Sequence, residues 1–392
     1  MSKLDISEVC AYTSKQKIDL IICSASFEER CLSIPNKMRG FYTGDTIVFC
    51  NTNEDTSIGQ NCQKLKDIFS DNCHTVDLNT DQPVKNYYEI YSNLEKQLKN
   101  SKKNILLDTT TFTHEALLMV FKVLYQLREM YESLQICYVG ASDYSYESLC
   151  NEDKWLSKGI REIRTVIGYP GITDPTKKNR LVILFGFESD RTKKLIDFYE
   201  FDTVSLGFGK EDQSINSALH KINFERHSAL LKHYEEYANK FEISLIDPID
   251  SCYTIIEQII PDLYKHNIVL APMNNKISTI GAAMAAIIVP ELQMSYAKAN
   301  VYNVKAYAKA SDECYFFKID INFIESQKIF WEQHRLKWER IYETYSIPNY
   351  AETTIKNETY FSEFNSLFVN ETKSVFEHTI KTSFNKPSQN SN

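Results

Sequence analysis

Short apolar runs alternate along this chain with polar turns and with segments whose apolar residues fall at helical spacing. Ile18–Cys23 (IDLIIC), Thr46–Phe49 (TIVF), Thr75–Leu78, Ile105–Leu107 and Leu134–Val139 read as buried strands. Between them, Asn61–Phe69, Asn86–Leu98 and Glu115–Tyr131 read as helices; Tyr87, Ile90, Leu94 and Leu98 define one helical face. Strands alternating with helices predict parallel βαβ units with right-handed crossovers. Met1–Lys17 predicts a short helix or arm.

The pattern then restarts. Arg180–Gly186 matches Asp19–Ala25, Asp202–Leu206 matches Asp45–Phe49, and Ile243–Asp247 matches the strand ending at Leu78. Tyr253–Leu263 matches the Tyr87–Leu98 helix. Asn267–Ile287 repeats the layout of Asn104–Leu124, a strand, a polar turn and a helix, at a distance of 163 residues (267 − 104). Matched elements in one order predict an internal duplication: two tandem Rossmann-like parallel-sheet units of an α/β protein. The expected division is 1–150 for the first unit, 151–179 for a connector rich in Gly and Pro, and 180–307 for the second unit. Residues 308–392 then hold a strand at Cys314–Ile321, an amphipathic helix at Glu325–Tyr345 and a polar tail.

Composition narrows the function. Of 392 residues, 43% are hydrophobic and 24% charged, which predicts a folded globular protein. The net charge of −8 argues against general nucleic-acid binding. No run approaches a membrane span, and the polar start lacks a signal core, so a cytoplasmic location is expected. Ten scattered cysteines contain no C-x-x-C pair, so neither zinc nor a redox dithiol is indicated and reduced thiols are expected; no metal and no cofactor are expected.

Candidate chemistry gathers where strands end. Glu28, Glu29 and Arg30 follow the first strand; Glu188 and Arg191 follow its counterpart. Arginine there can clamp a phosphate or carboxylate with its planar fork, or simply be solvated beside a helix-start acid. Asp108, Thr110, Thr111, His114 and Glu115 open the helix after Ile105–Leu107. Hydroxyls and free N–H groups at a helix start suit an anion or a sugar, and His114 with Glu115 could serve acid–base chemistry. Ordinary N-capping by Thr is the plainer alternative. The matching loop offers Asn274, Asn275 and Lys276, a cation set against the helix dipole. Gly207-Phe208-Gly209-Lys210 is a weaker phosphate-loop candidate. HExxH, GxSxG, Walker A and complete GxGxxG motifs are absent from the sequence.

The strand, Asp and Thr-rich turn at Asp108–Glu115, in two side-by-side units, resembles the CARF-type sensor domains of prokaryotic immunity. That resemblance implies a nucleotide bound across a two-fold interface by Ser24–Arg30 with Asp108–His114, and by Gly186–Arg191 with Pro272–Lys276. The expected function is therefore a nucleotide-like ligand sensor, with Arg30, Arg191 and Lys276 taking negative charge. Asp108, Thr110, Asn274 and Asn275 would read sugar or base. One rival is an enzyme cleaving a nucleotide or glycosidic bond with Asp108, His114 and Glu28 or Glu29 as acid–base groups. The other is a scaffold that meets a protein partner through Glu325–Tyr345.

Overall fold

The computed structural model describes residues 2–345 apart from 52–55, 149, 151–152, 200 and 236–237. The first series of elements is β1 (Ser2–Asp5), α1 (Val9–Lys15), β2 (Leu20–Ala25), α2 (Ser33–Met38), β3 (Asp45–Cys50) and α3 (Thr56–Phe69). It continues through β4 (Cys73–Asp77), α4 (Pro83–Leu98), β5 (Asn104–Asp108), α5 (His114–Gln126) and β6 (Ser133–Tyr144). The second series is β7 (Ser157–Thr165), β8 (Lys178–Leu184), α6 (Ser189–Phe198), β9 (Thr203–Gly209), α7 (Ser217–His233) and β10 (Ala238–Ile243). It continues through α8 (Pro248–Ile259), β11 (His266–Pro272), α9 (Lys276–Ile288) and β12 (Gln293–Tyr302), and is followed by β13 (Ala308–Ile319) and α10 (Ile321–Tyr345).

The chain is an α/β protein with two mixed, mostly parallel Rossmann-like sheets. One sheet runs β1-β13-β6-β5-β2-β3-β4 and the other β10-β9-β8-β11-β12-β7. Within them the parallel strands follow one order, β4-β3-β2-β5-β6 and β10-β9-β8-β11-β12. Parallel strands covered on both faces must be apolar throughout, and β2 (LIICSA) is buried at every position.

The antiparallel edges are exchanged between the sheets. After β6 the chain crosses to the second sheet, where β7 pairs with β12. After β12 it returns, and β13 pairs with β6 over Ile319↔Leu134 to Ala308↔Tyr144. β1 then closes that edge against β13.

These edges revise the expected divisions. The connector 151–179 holds β7, whose Lys158, Arg161, Glu162 and Arg164 gave it a polar, non-strand appearance beside Gly159 and Gly168. The strand read at Cys314–Ile321 starts at Ala308 and belongs to the first sheet. Met1–Lys17 contributes a strand as well as a helix.

Between the sheets, α5 packs on α9, and one apolar core runs from β2 and β5 through both helices to β8 and β11. α9 (KISTIGAAMAAII) is buried on every side beyond its first residue, as an all-round apolar helix must be. Gly281 lets it approach α8, since a Cβ there would lie 2.5 Å from the Ser251 Cβ. α10 lies along α9; Trp331 Nε1 donates to Glu291 at 3.0 Å and Arg335 sits 2.5 Å from the same carboxylate. The side chains of Leu336, Trp338 and Ile341, and the polar tail, lie outside the described residues. No helix among the described residues is long and apolar enough to cross a membrane.

Candidate functional site

In an open parallel sheet the strand order reverses at a switch point, and the loops beyond the strand carboxyl ends part there to leave a crevice. The switch points fall between β2 and β5 in one sheet and between β8 and β11 in the other. Their four loops converge on one cavity of about 210 Å³. Its wall includes Glu28, Arg30, Thr110, Thr111, His114, Glu188, Arg191, Asn274, Asn275 and Lys276, while Glu29 and Asp108 lie outside it. The starts of α5 and α9 both border it: Thr113 caps α5 by accepting from Ala116 N at 3.2 Å, and Asn275 caps α9 by accepting from Ser278 N at 2.9 Å. Gly186 makes room for the meeting of the β8 and β11 loops, because a Cβ there would stand 2.1 Å from the Met273 carbonyl oxygen.

The first-lobe side chains are largely committed to one another. Arg30 donates to Glu28 through Nε at 2.8 Å and Nη2 at 2.7 Å, and through Nη1 to the Val139 carbonyl at 3.2 Å. Asp108 accepts from the Thr110 N–H at 3.0 Å and its hydroxyl at 2.5 Å; the same hydroxyl accepts from Val139 N at 3.0 Å. Burial pushes the Asp108 carboxyl up to about 6, against the pull of Thr110 and Arg30. Asp108 thus braces the β5–α5 turn from behind, and its expected contact with sugar or base is not made from the cavity wall. Thr111 donates to the Ser24 carbonyl at 2.9 Å.

His114 and Glu115 do not form an acid–base pair. Glu115 is buried and receives two bonds of 2.7 Å from Arg164 of β7. His114 Nδ1 lies 2.7 Å from the Thr279 hydroxyl, which donates its proton to the Asn275 carbonyl at 2.9 Å. Nδ1 is therefore the donor, and Nε2 keeps its lone pair. Burial, with Lys276 and Arg191 nearby, holds His114 well below the usual imidazole range, so it stays neutral at pH 7 and cannot act as an imidazolium acid.

The second lobe differs. Glu188 turns to β7, accepting from Leu156 N at 2.5 Å and Ser157 N at 3.2 Å. Arg191 therefore has no carboxylate in ion-pair range among the described residues. It donates to the Ser157 hydroxyl at 3.0 Å and to the Ala297 carbonyl, and its buried Nε has no partner. Lys276 has neither hydrogen bond nor ion pair among the described residues. Burial pushes its amine down to about 7, the charge of Glu28 opposing and those of Arg30 and Arg191 assisting. Asn274 spends its oxygen on Asn275 N at 2.7 Å, and its buried Nδ2 is unpartnered.

Aromatic rings complete the wall and cross between lobes. Phe27 meets Tyr302 at 5.8 Å and Tyr307 at 5.3 Å between centroids, and Phe187 meets Tyr144 at 5.2 Å. Tyr138, Tyr296 and, from the α7 region, Asn216, His220 and Asn223 also border the cavity. The sequence carried a trace of the ring pairs, since Phe27 and Phe187 are 160 apart (187 − 27) and Tyr144 and Tyr302 are 158 apart (302 − 144). Nothing in the pattern singled out α7. Gly207 and Gly209 instead make room for Phe241 and Leu245, and Lys210 pairs with Asp250 at 3.1 Å, away from the cavity.

No family model and no curated protein matches this chain. Among solved structures it is similar to an NADPH-bound carbonyl reductase from chicken fatty liver at 7% identity, over 75% of this chain and 99% of that one. The TM-score of 0.23 is too low for that likeness to bear on fold, ligand or reaction.

Proposed function

We propose that this chain binds a small anionic, nucleotide-like molecule in the cleft between its lobes. By its resemblance to CARF-type domains, we further propose that it serves as a sensor or accessory component of prokaryotic defence. One observation carries the ligand reading: two switch-point crevices open into a single cavity where Arg191 and Lys276 have no ion-pair partner among the described residues. A helix start attracts negative charge through its unpaired N–H groups, and two such starts border the cavity. The rings of Phe27, Phe187, Tyr144, Tyr302 and Tyr307 offer faces for a base or another flat group.

The rival readings draw less support. For the enzyme reading with Asp108, His114 and Glu28 or Glu29, His114 and Glu28 line the cavity, but Glu28 is paired with Arg30, and Asp108 and Glu29 lie outside the wall. For the scaffold reading, Trp331 of α10 is buried and bonded within the chain while Ile329 is exposed, and Leu336, Trp338 and Ile341 lie outside the described residues.

Thermal unfolding against mono-, di-, cyclic and oligonucleotides, with product analysis of each mixture, tests the proposal. A ligand at 100 times its dissociation constant stabilises by about 2.7 kcal/mol. The expected result is a raised transition that is lost in Lys276→Ala. No shift with any nucleotide would overturn the reading, and a converted product would replace it with the enzyme.

A further inference from the structure

The cavity is polarised. Its first-lobe cation, Arg30, is neutralised by Glu28, His114 is uncharged, and the hydroxyls of Thr110 and Thr111 already donate within the lobe. Among the described residues, the second-lobe side chains of the wall include three donors without a partner, Arg191 Nε and Asn274 Nδ2, both buried, and Lys276 Nζ, against one unpartnered acceptor, Asn223 Oδ1. A buried donor left unpaired costs about 1–3 kcal/mol, so unpaired donors on side chains that line one cavity suit an acceptor group held there. Glu188, the carboxylate of this lobe in the wall, spends Oε1 on Leu156 and Ser157.

We infer that Arg191, Asn274 and Lys276 form a single phosphate subsite in the second lobe, and that the ligand is a monophosphate whose uncharged remainder lies toward Phe27, Tyr302 and Tyr307. The inference rests on the ligand reading above and narrows it. A second phosphate would have to sit on the first-lobe side, where Arg30, the first-lobe cation of the described wall, is already paired with Glu28.

Calorimetric titration of the full chain with inorganic phosphate, ribose 5-phosphate, the four nucleoside 5′-monophosphates and their diphosphates tests the subsite. The expected order places a monophosphate ester ahead of its diphosphate by at least tenfold, with inorganic phosphate weaker than either ester class. Asn274→Asp keeps the oxygen that receives Asn275 N and replaces the free donor with an acceptor. It should weaken monophosphate binding at least tenfold, as should Lys276→Met, while circular dichroism and the unfolding midpoint show a folded chain. If diphosphates or cyclic dinucleotides bind more tightly than monophosphates, or if Asn274→Asp binds a monophosphate as the parent does, the subsite is wrong and the nucleotide reading stands. If neither phosphate nor any ester binds, both fall.

Discussion

Lys276 is a cation kept where an isolated cation is costly. Its folded pKa is near 7, against an ordinary lysine value above 10, so between those pH values the unfolded chain binds the extra proton. Stability should therefore rise as pH increases from about 7 toward 10, the sign that follows when the unfolded state holds more protons. Replacing Lys276 with Met should remove this slope and stabilise the unliganded protein at pH 7 by about 1 kcal/mol. Urea titrations of both proteins at pH 7 and pH 9 check it; equal slopes with pH would place the lysine in water. Gly186 tests the same wall by volume. Gly186→Ala sets a methyl 2.1 Å from the Met273 carbonyl, so the β11 loop must move, at a cost of about 1–3 kcal/mol and with loss of ligand. Thermal unfolding with and without ligand separates the two effects. The strand-end loops were legible in the sequence because polar residues interrupting apolar runs have few structural explanations. The partners of those residues were not. That Glu28 covers Arg30 while Glu188 leaves Arg191 open depends on where the backbone of Leu156 and Ser157 arrives, which no local pattern records.

At the scale of elements, the lobes are held together by more than apolar packing of α5 on α9. Arg164 of β7 reaches Glu115 of α5 with two bonds of 2.7 Å and also donates to the Thr80 carbonyl at 2.7 Å. Lys298 of β12 bonds the Thr80 hydroxyl at 2.5 Å and Asp81 at 3.1 Å. Arg164→Ala would leave Glu115, 5% exposed, as an uncompensated charge, and should cost about 3–5 kcal/mol. Arg164→Ala with Glu115→Gln should recover part of that loss, and chemical denaturation of the single and double variants measures the coupling. The central strands and the major helices could be read from sequence because burial on both faces writes itself as unbroken apolar runs. β7 could not. An edge strand alternates exposed charges with half-buried isoleucines, and in Glu152–Lys178 that alternation is overlaid by glycine and proline.

At the scale of the molecule, the first sheet takes its antiparallel strand β13 from chain that follows the whole second series, and the second takes β7 from the stretch just after β6. A fragment ending at residue 150 lacks β13, and with it the partner of both β1 and β6. Such a fragment should expose the β6 edge and associate, and limited proteolysis with light scattering would show it. The intact chain should unfold in one transition, because one apolar core and the α5–α9 contact span both sheets; two resolved calorimetric peaks would contradict this.

The same exchange of edges sets a schedule. β6 ends at Tyr144 and its partner β13 begins at Ala308, so 164 residues (308 − 144) separate them in synthesis. At roughly 5–20 residues per second, the finished β6 edge waits about 10–30 s on the ribosome for its cover. For that interval the nascent chain carries an apolar strand, paired with β5 on one side and open on the other. Growth temperature and holdase supply should therefore govern the yield of this protein more than its final stability does.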